Sequence, residues 1–199
     1  MQTAIEALRV SMSRVEHLGG LYDALSSLTT RAVDASDLLR AQIVLGVSAM
    51  DYYVHEVTAL GMVAVFEGKR PPTQAFLKYR VSVGAISAGA STSNSSWFEA
   101  EVREGHSYLS FQQSEKIADA IRHFTDVKLW QEVAAKMATP EQTVKDHLKL
   151  IVDRRNKIAH EADLDPSFPG ARWPIHVGDV EHSLRFLKQV CESIHATIT

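Results

Sequence analysis

The chain has 199 residues, of which 45% are apolar and 23% are charged, a composition typical of an ordinary globular protein that excludes a disordered chain. The net charge of -3 and the isoelectric point near 6.3 argue against a protein that coats polyanions with its whole surface. Any contact with nucleic acid must therefore come from a local patch. The single cysteine, Cys191, cannot form an intrachain disulfide, and no Cys/His spacing resembles a zinc site. We expect a reducing, cytoplasmic location and no metal or other cofactor.

The sequence predicts no membrane partner and one domain over residues 1–199. The N-terminal stretch MQTAIEALRVSMSRVEH lacks the basic start, the apolar middle and the small-residue cleavage site of a signal peptide. The most apolar region, Ala41 to Phe66, is interrupted by Asp51, His55 and Glu56. Neither charge-free part approaches the roughly 18–20 residues that a bilayer span needs, so we interpret this region as a buried helix.

Helical signals dominate the chain, and sustained period-two alternation is absent. We predict an all-α fold, a helical bundle with four or more main helices and extra short helices in the middle third. In chain order, helices are predicted over about 3–17 with a possible continuation over 21–28, from 34 or 36 to 66, and over 97–104, 112–124, 127–137, 140–160 and 179–198.

Capping and helix-breaking residues predict one helix start and two loops. Thr139 as N-cap, Pro140 at the first helical position and Gln142 two residues later form a capping-box pattern that predicts the clearest helix start in the chain. The small polar residues over about 84–96 predict a flexible loop. Three prolines and a glycine within DLDPSFPGARWP predict a second loop over about 163–178.

The helix predicted from Pro140 carries a charged residue on its apolar face. Advancing about 100° per residue groups five apolar residues into one stripe, and Arg155 lies in the middle of it. A charge there costs several kcal/mol unless it is paired or reaches water. The stripe consists of Val144, Leu148, Ile151, Ile158 and Ala162.

A polar strip runs along another face of the same helix, formed by Lys149, Asp153, Asn156 and His160. An ideal helix places Arg155 and His160 about 140° apart. Their side chains could converge only if the helix frays near His160 or if the long arginine swings around the helix.

Physical reasoning leaves two readings of Arg155 open. In the structural reading, Arg155 pairs with a buried acid such as Asp51 or Glu56, and His160 is favoured by the helix dipole at the C-terminal end. In the functional reading, the arginine and the histidine bind and process a ligand.

The stretch RNKIAH, residues 155–160, resembles the R-x4-6-H signature of the HEPN superfamily. Together with RAQIVLGVSAMDYYVHEV, residues 40–57, and IVDRRNKIAHEADLDP, residues 151–166, it is most similar to the RiboL-PSP-HEPN branch. The resemblance covers about residue 30 to the C-terminus. It implies an all-α bundle, often a metal-independent endoribonuclease, in which Arg155 and His160 match the two defining positions and Asn156 the polar position after the arginine.

Metal-free RNA cleavage needs proton transfer and stabilisation of a crowded phosphate. We assign proton transfer to His160, phosphate binding to Arg155 and orientation of either group to Asn156. The resemblance also implies a composite cleft between paired domains, hence a homodimer, and a twofold axis would bring two copies of the site together.

Four further residues are candidates for supporting or substrate-binding roles. Asp51 and His55 share one face of the apolar helix and could contact the motif helix, or could simply be a satisfied polar pair. Arg154 and Lys157 belong to a basic patch with five Lys/Arg against two Asp between residues 145 and 157, which suits RNA but is also typical of a solvated face.

The biological role stays open among three hypotheses. The first is a ribonuclease acting as a toxin or anti-phage defence effector, for which an antitoxin or another defence-system protein is the candidate partner. HEPN toxins modified by a nucleotidyltransferase partner carry a tyrosine two residues after the motif histidine, and Ala162 stands here, which argues against that route. The second is a non-catalytic HEPN module that binds RNA or a partner protein in a defence or regulatory system. The third is a plain interaction bundle in which Arg155 is structural.

Overall fold

The computed structural model describes residues 1–30, 33–92 and 94–199, and within these ranges the chain is helical without strands, apart from one isolated bridge between Leu164 and Arg172. The prediction of an all-α helical bundle is confirmed. The helices are α1 Gln2–Leu28, α2 Ser36–Phe66, α3 Gln74–Leu77, α4 Val83–Gly89, α5 Ser96–His106, α6 Ser114–Arg122, α7 Leu129–Lys136, α8 Glu141–His160 and α9 Val177–Ile198.

Helix α2 lies at the centre of the bundle and packs against α1, α5, α6, α8 and α9. Its side chains Met50 and Tyr53 are fully buried in the main core. Two glycines let neighbours approach closely, because a Cβ atom at Gly46 would lie 2.5 Å from the Leu184 side chain and one at Gly61 would lie 2.3 Å from the Phe124 ring. The apolar run read as a buried helix is therefore the element around which the others assemble. Within the described ranges, none of the helices has both the length and the apolar character needed to cross a bilayer.

The flexible loop predicted over about 84–96 is wrong for its first half, where Val83–Gly89 form α4. The Ser82 hydroxyl accepts a hydrogen bond from Ala85 N at 3.1 Å, which provides an N-terminal cap. The Trp97 ring lies so close to Gly89 that an added Cβ atom would be 2.4 Å from it. A local pattern without apolar periodicity is thus stabilised by a tertiary contact. Position 93 of the predicted loop lies outside the described residues.

The predicted capping box at α8 is also wrong. Thr139 Oγ1 donates to Met137 O at 3.0 Å, and the N-cap residue is Pro140, which has no side chain able to cap. Gln142 Nε2 donates forward to Asp146 Oδ1 at 2.8 Å rather than back to the cap. The helix nevertheless begins within a residue of the predicted position, because proline stops any extension towards the N-terminus.

Candidate functional site

Helix α8 is anchored by the first part of the predicted apolar stripe. Val144, Leu148 and Ile151 are buried against α2 and its neighbours, whereas Ile158 is only partly buried. Ala162 does not continue the stripe, because α8 ends at His160 and Ala162 is an exposed residue with a φ of 51°. The C-terminal end of α8 therefore rises from the core to the surface.

Arg155 sits at this transition and is half-buried. Its Nη1 donates to Asn156 Oδ1 at 3.0 Å, while its Nε is buried and bonds to none of the described residues. No carboxylate in the described part of the chain lies within ion-pair distance of this guanidinium. The structural reading named Asp51 and Glu56 as partners and is wrong on that point, because Glu56 pairs with Arg103. Arg155 is held by a neutral amide and keeps an uncompensated charge.

Asn156 lines a groove of about 510 Å³ between α8 and the segment that leads into α6. The α8 wall carries Lys149, Asp153 and Asn156 of the predicted polar strip, and the opposite wall includes Gln112 and Gln113. Three of the four strip residues thus line one groove.

His160, the last member of the polar strip, lies one helical turn beyond the groove and is exposed. Its side chain forms no hydrogen bond or ion pair with any residue that the structure describes. The helix continues through His160, so fraying does not bring its ring towards Arg155. Within one subunit the two side chains leave α8 about 140° apart.

Asp51 and His55 bind the chain before α6 rather than α8. Asp51 Oδ1 accepts from Phe111 N at 2.6 Å, and Oδ2 accepts from Gln112 Nε2 at 3.1 Å. The His55 ring lies 4.5 Å from the Phe111 ring, and its Nε2 is 3.9 Å from Asp51 Oδ1. The proposed contact of Asp51 and His55 with the motif helix is therefore not formed. Asp51 is satisfied by Phe111 N and Gln112, and His55 packs on the Phe111 ring. Asp51 still acts on the groove, because Gln112 lines it.

Arg154 belongs to a buried ionic cluster with Asp163 and Arg40. Arg154 Nη1 lies 2.8 Å from Asp163 Oδ1, and Arg40 Nε lies 2.7 Å from Oδ2 of the same carboxylate, which is 1% exposed. Both arginines also donate to the Trp173 carbonyl. Burial lowers the pKa of Arg154, and the Asp163 charge partly offsets this shift. Arg154 therefore holds the chain that follows α8 in place and is not free to bind substrate.

Lys157 has a local partner, since its ammonium group lies 4.9 Å from the centroid of the Trp173 ring. Its side chain is half-buried. The basic patch predicted from the sequence is thus divided by function, because Arg154 and Lys157 face the loop over residues 161–176, whereas Lys149 and Asn156 face the groove.

Sequence reasoning missed three residues of this region: Arg40, Gln112 and Asp163. The acid after the motif and the arginine at the start of α2 were visible as isolated charges in apolar or loop surroundings. Nothing local in the sequence indicates that they meet across 123 positions of the chain. Gln112 carried no signal, because its role depends on the path of the segment between α5 and α6.

A second, apolar groove of about 530 Å³ borders the end of the motif helix. Ala41, Val44 and Leu45 of α2 form one side, and Ile158 and Ala159 of α8 contribute to the other. Leu45 is 47% exposed, a large fraction for a leucine beside a charged motif. Among the described residues, no group of three or more His, Cys, Asp or Glu side chains could hold a metal ion.

The sequence model of the RiboL-PSP-HEPN family matches residues 12–199, which covers α2 to α9 and the part of α1 from Met12 onward. The chain belongs to the RiboL-PSP-HEPN family. The match begins 18 residues before the stretch from about residue 30 that the motif resemblance covers. No curated protein and no solved structure matches the chain. In this RiboL-PSP-HEPN protein, the two segments that carry the resemblance are the packed pair α2 and α8.

Proposed function

We propose that this protein is a metal-independent endoribonuclease that cuts RNA at a composite site between two subunits and serves as a toxin or anti-phage defence effector. Membership of the HEPN superfamily supports this role, because HEPN domains often dimerise and bind RNA. The observation that carries the proposal is Arg155, a half-buried guanidinium held by Asn156 and paired with no carboxylate in the described part of the chain. Such a group binds an anion from outside, and a phosphodiester fits its planar fork.

The reaction moves protons between oxygen atoms at neutral pH. A base takes the proton of the ribose 2'-hydroxyl as the 2'-oxygen attacks the adjacent phosphorus. The bond from phosphorus to the 5'-oxygen breaks, an acid delivers a proton to the departing 5'-oxygen, and the products are a 2',3'-cyclic phosphate and a 5'-hydroxyl. His160 is exposed and able to exchange protons with solvent and substrate, as a general acid or base must. Arg155 stabilises the charge on the phosphate oxygens, and Asn156 fixes the orientation of Arg155.

A twofold dimer would supply what one subunit lacks. The angle of about 140° between Arg155 and His160 keeps one subunit from presenting both groups to the same phosphate unless the arginine turns. Two copies of α8 facing each other would offer two histidines and two arginines around one cleft. The apolar groove around Leu45 and Ala159 lies beside the motif end, where such an interface would need apolar surface.

The second candidate is a non-catalytic module that binds RNA or a partner protein. The separation of Arg155 from His160 within one subunit favours it, because binding needs no convergence of the two groups. Under this alternative Arg155 still binds phosphate, while His160 has no task.

The deciding experiment is cleavage of single-stranded and looped RNA by purified protein in excess chelator. We expect products that end in a 2',3'-cyclic phosphate, and rates at least about 100-fold lower for Arg155→Ala and for His160→Ala. Arg185→Ala and His17→Ala are matched controls, because both residues are exposed and lie on other helices.

Three results would contradict the proposal. Equal rates in all the variants would exclude a role for the motif, loss of cleavage on chelation would exclude the metal-independent mechanism, and an inactive wild type that binds RNA through Arg155 would favour the non-catalytic module.

A further inference from the structure

The groove between α8 and the segment before α6 ends at Asn156, the residue that holds Arg155. We infer that this groove binds one nucleobase of the RNA through two oriented side-chain amides, Gln112 and Asn156, and thereby selects the cleavage position. The inference rests on the proposed function, since it places the base beside the phosphate that Arg155 would bind.

The charge of the groove suits a base better than a phosphate. Its lining contains the two lysines Lys145 and Lys149 against the three acids Glu115, Asp146 and Asp153, so the positive charge is offset. Both lysines already pair with carboxylates on α8. A volume of about 510 Å³ is ample for one planar base.

Chemistry fixes the orientation of both amides. A carboxylate only accepts hydrogen bonds, so the atom of Gln112 that faces Asp51 must be the NH2 group, Nε2, at 3.1 Å. A guanidinium only donates, so the atom of Asn156 that faces Arg155 must be the carbonyl oxygen, Oδ1, at 3.0 Å. Gln112 is left with a free acceptor, Oε1, and Asn156 with a free donor, Nδ2.

Neither free group has a partner among the residues that the structure describes. Gln112 is 8% exposed and lines the groove, and its unpaired Oε1 is not among the fully buried atoms, so a ligand in the groove can reach this oxygen. One fixed acceptor and one fixed donor match the edge of a nucleobase, which presents donors and acceptors side by side.

The arrangement also gives Asp51 a role in RNA selection that needs no contact with α8. Asp51 accepts from Phe111 N through one oxygen and from Gln112 through the other. It therefore determines which end of the Gln112 amide faces the groove. Asp51 is a positioning residue, and its effect should be on base preference.

Asp51→Asn tests this directly. The substituted amide can still accept from Phe111 N through its oxygen, but it presents an NH2 group to Gln112, whose amide must then turn so that its own NH2 faces the groove. The measurement is deep sequencing of the cut sites in a randomised RNA pool. We expect the preference at one position next to the cut to change at least about fivefold, from the free-energy difference of one hydrogen bond.

Glu56→Gln is the matched control, because it makes the same change of acid to amide on α2 at a residue that pairs with Arg103 and does not line the groove. It should keep the wild-type preference. Gln112→Met removes both hydrogen-bonding groups at similar length and should flatten the preference, and it carries the test if Asp51→Asn does not fold. Cleavage by Gln112→Met with the wild-type preference would overturn the inference and leave the proposed function intact.

A binding measurement separates this inference from catalysis. The four nucleoside 3'-monophosphates are titrated into His160→Ala protein, and the side-chain amide resonances of Gln112 and Asn156 are followed by NMR. Shifts at both amides in the Gln112 protein, together with a smaller Asn156 shift in a Gln112→Met background, support the base site even if the wild type cuts no RNA. Absence of any shift at millimolar mononucleotide would overturn it.

Discussion

Two adjacent arginines on α8 have opposite surroundings. Arg154 shares the buried Asp163 carboxylate with Arg40 and also donates to the carbonyls of Trp173 and Pro174. Among the residues that the structure describes, Arg155 has one hydrogen bond, to the neutral amide of Asn156. One position along the chain turns a side chain by about 100°, which here separates an ionic cluster from a surface site.

The difference shows that the partners of a buried arginine indicate whether its charge serves folding or function. The charge of Arg154 is neutralised inside the molecule, so its removal is expected to affect the fold. The charge of Arg155 has no internal counterpart among the described residues, so its compensation must come from solvent or a ligand. A guanidinium in an apolar stripe is informative only once the acids around it are known.

The largest effect on stability is expected from Asp163→Ala. The substitution leaves Arg40, whose side chain is 8% exposed, and Arg154 facing each other without a counter-charge. We expect the free energy of unfolding to fall by about 3–5 kcal/mol, measured by urea denaturation. Asp153→Ala breaks only a surface pair with Lys149 and should lower it by less than about 1 kcal/mol. If both variants lose the same free energy of unfolding, the Asp163 cluster stabilises the fold no more than a surface ion pair does.

A smaller but sharper effect is expected from replacing each arginine by lysine. Arg154 binds Asp163 with two nitrogen atoms, and a lysine can make only one such contact, so Arg154→Lys should lower the free energy of unfolding by about 1–3 kcal/mol. Arg155→Lys should change it by less than about 0.5 kcal/mol but slow RNA cleavage about 10-fold to 100-fold. The check is urea denaturation and the chelator cleavage assay on both proteins. A stability loss in Arg155→Lys that matches Arg154→Lys would make both arginines structural.

Much of the fold could be predicted from the sequence, because α2, α8 and α9 have long apolar patterns bounded by prolines, glycines or polar residues. The elements that escaped prediction, α3 and α4, are four and seven residues long, and α4 depends on Trp97 packing against Gly89. Short helices of this kind are stabilised by contacts that lie outside any local window.

The motif positions could be named from the sequence, but their surroundings could not. The helical periodicity predicted an apolar stripe on both sides of Arg155, but only the part before Arg155 is buried. The expected acid partners bind elsewhere, and the buried pair forms at Arg154 instead. Asp163 lies in a loop with a φ of 58°, so its position depends on how the chain turns after α8. Loop paths and contacts across more than a hundred residues are not encoded in periodicity.

The proposed dimer interface beside Arg155 can be tested with a substitution in the apolar groove. Leu45→Glu places a charge in the groove beside the motif end, so we expect self-association to weaken about 10-fold to 100-fold, with a parallel loss of cleavage. Analytical ultracentrifugation measures the first and the chelator assay the second. Leu150→Glu, at a leucine on α8 that is 67% exposed and outside the groove, is the matched control. A monomeric Leu45→Glu protein with full activity would contradict the composite site.

Two histidines differ in burial in the same way as the two arginines, since His106 is buried and His160 is exposed. The burial of His106 predicts that the free energy of unfolding depends modestly on pH. Burial, then the neighbouring His123 and His55, lowers the pKa of His106 from 6.5 to about 4, and its side chain is 6% exposed. As pH falls below about 6.5, the unfolded chain takes up a proton that the folded protein does not bind until about pH 4. The free energy of unfolding should therefore drop by about 1–2 kcal/mol between about pH 7 and about pH 5.

His106→Phe should reduce that drop, because an aromatic ring fits beside Tyr79 and Phe111 without binding a proton. His160→Ala is the comparison variant and should leave the drop unchanged, because His160 is an exposed residue at the end of α8 and lies outside the ring contacts of His106. The measurement is the urea midpoint at the two pH values for both variants and the wild type. If the drop in the free energy of unfolding is unchanged in His106→Phe, His106 is not its source. His123 is then the residue to replace, because burial also lowers its pKa. A smaller drop in His160→Ala than in the wild type would show that His160 contributes to the stability of the fold. The motif histidine would then be a structural residue, as Arg154 is.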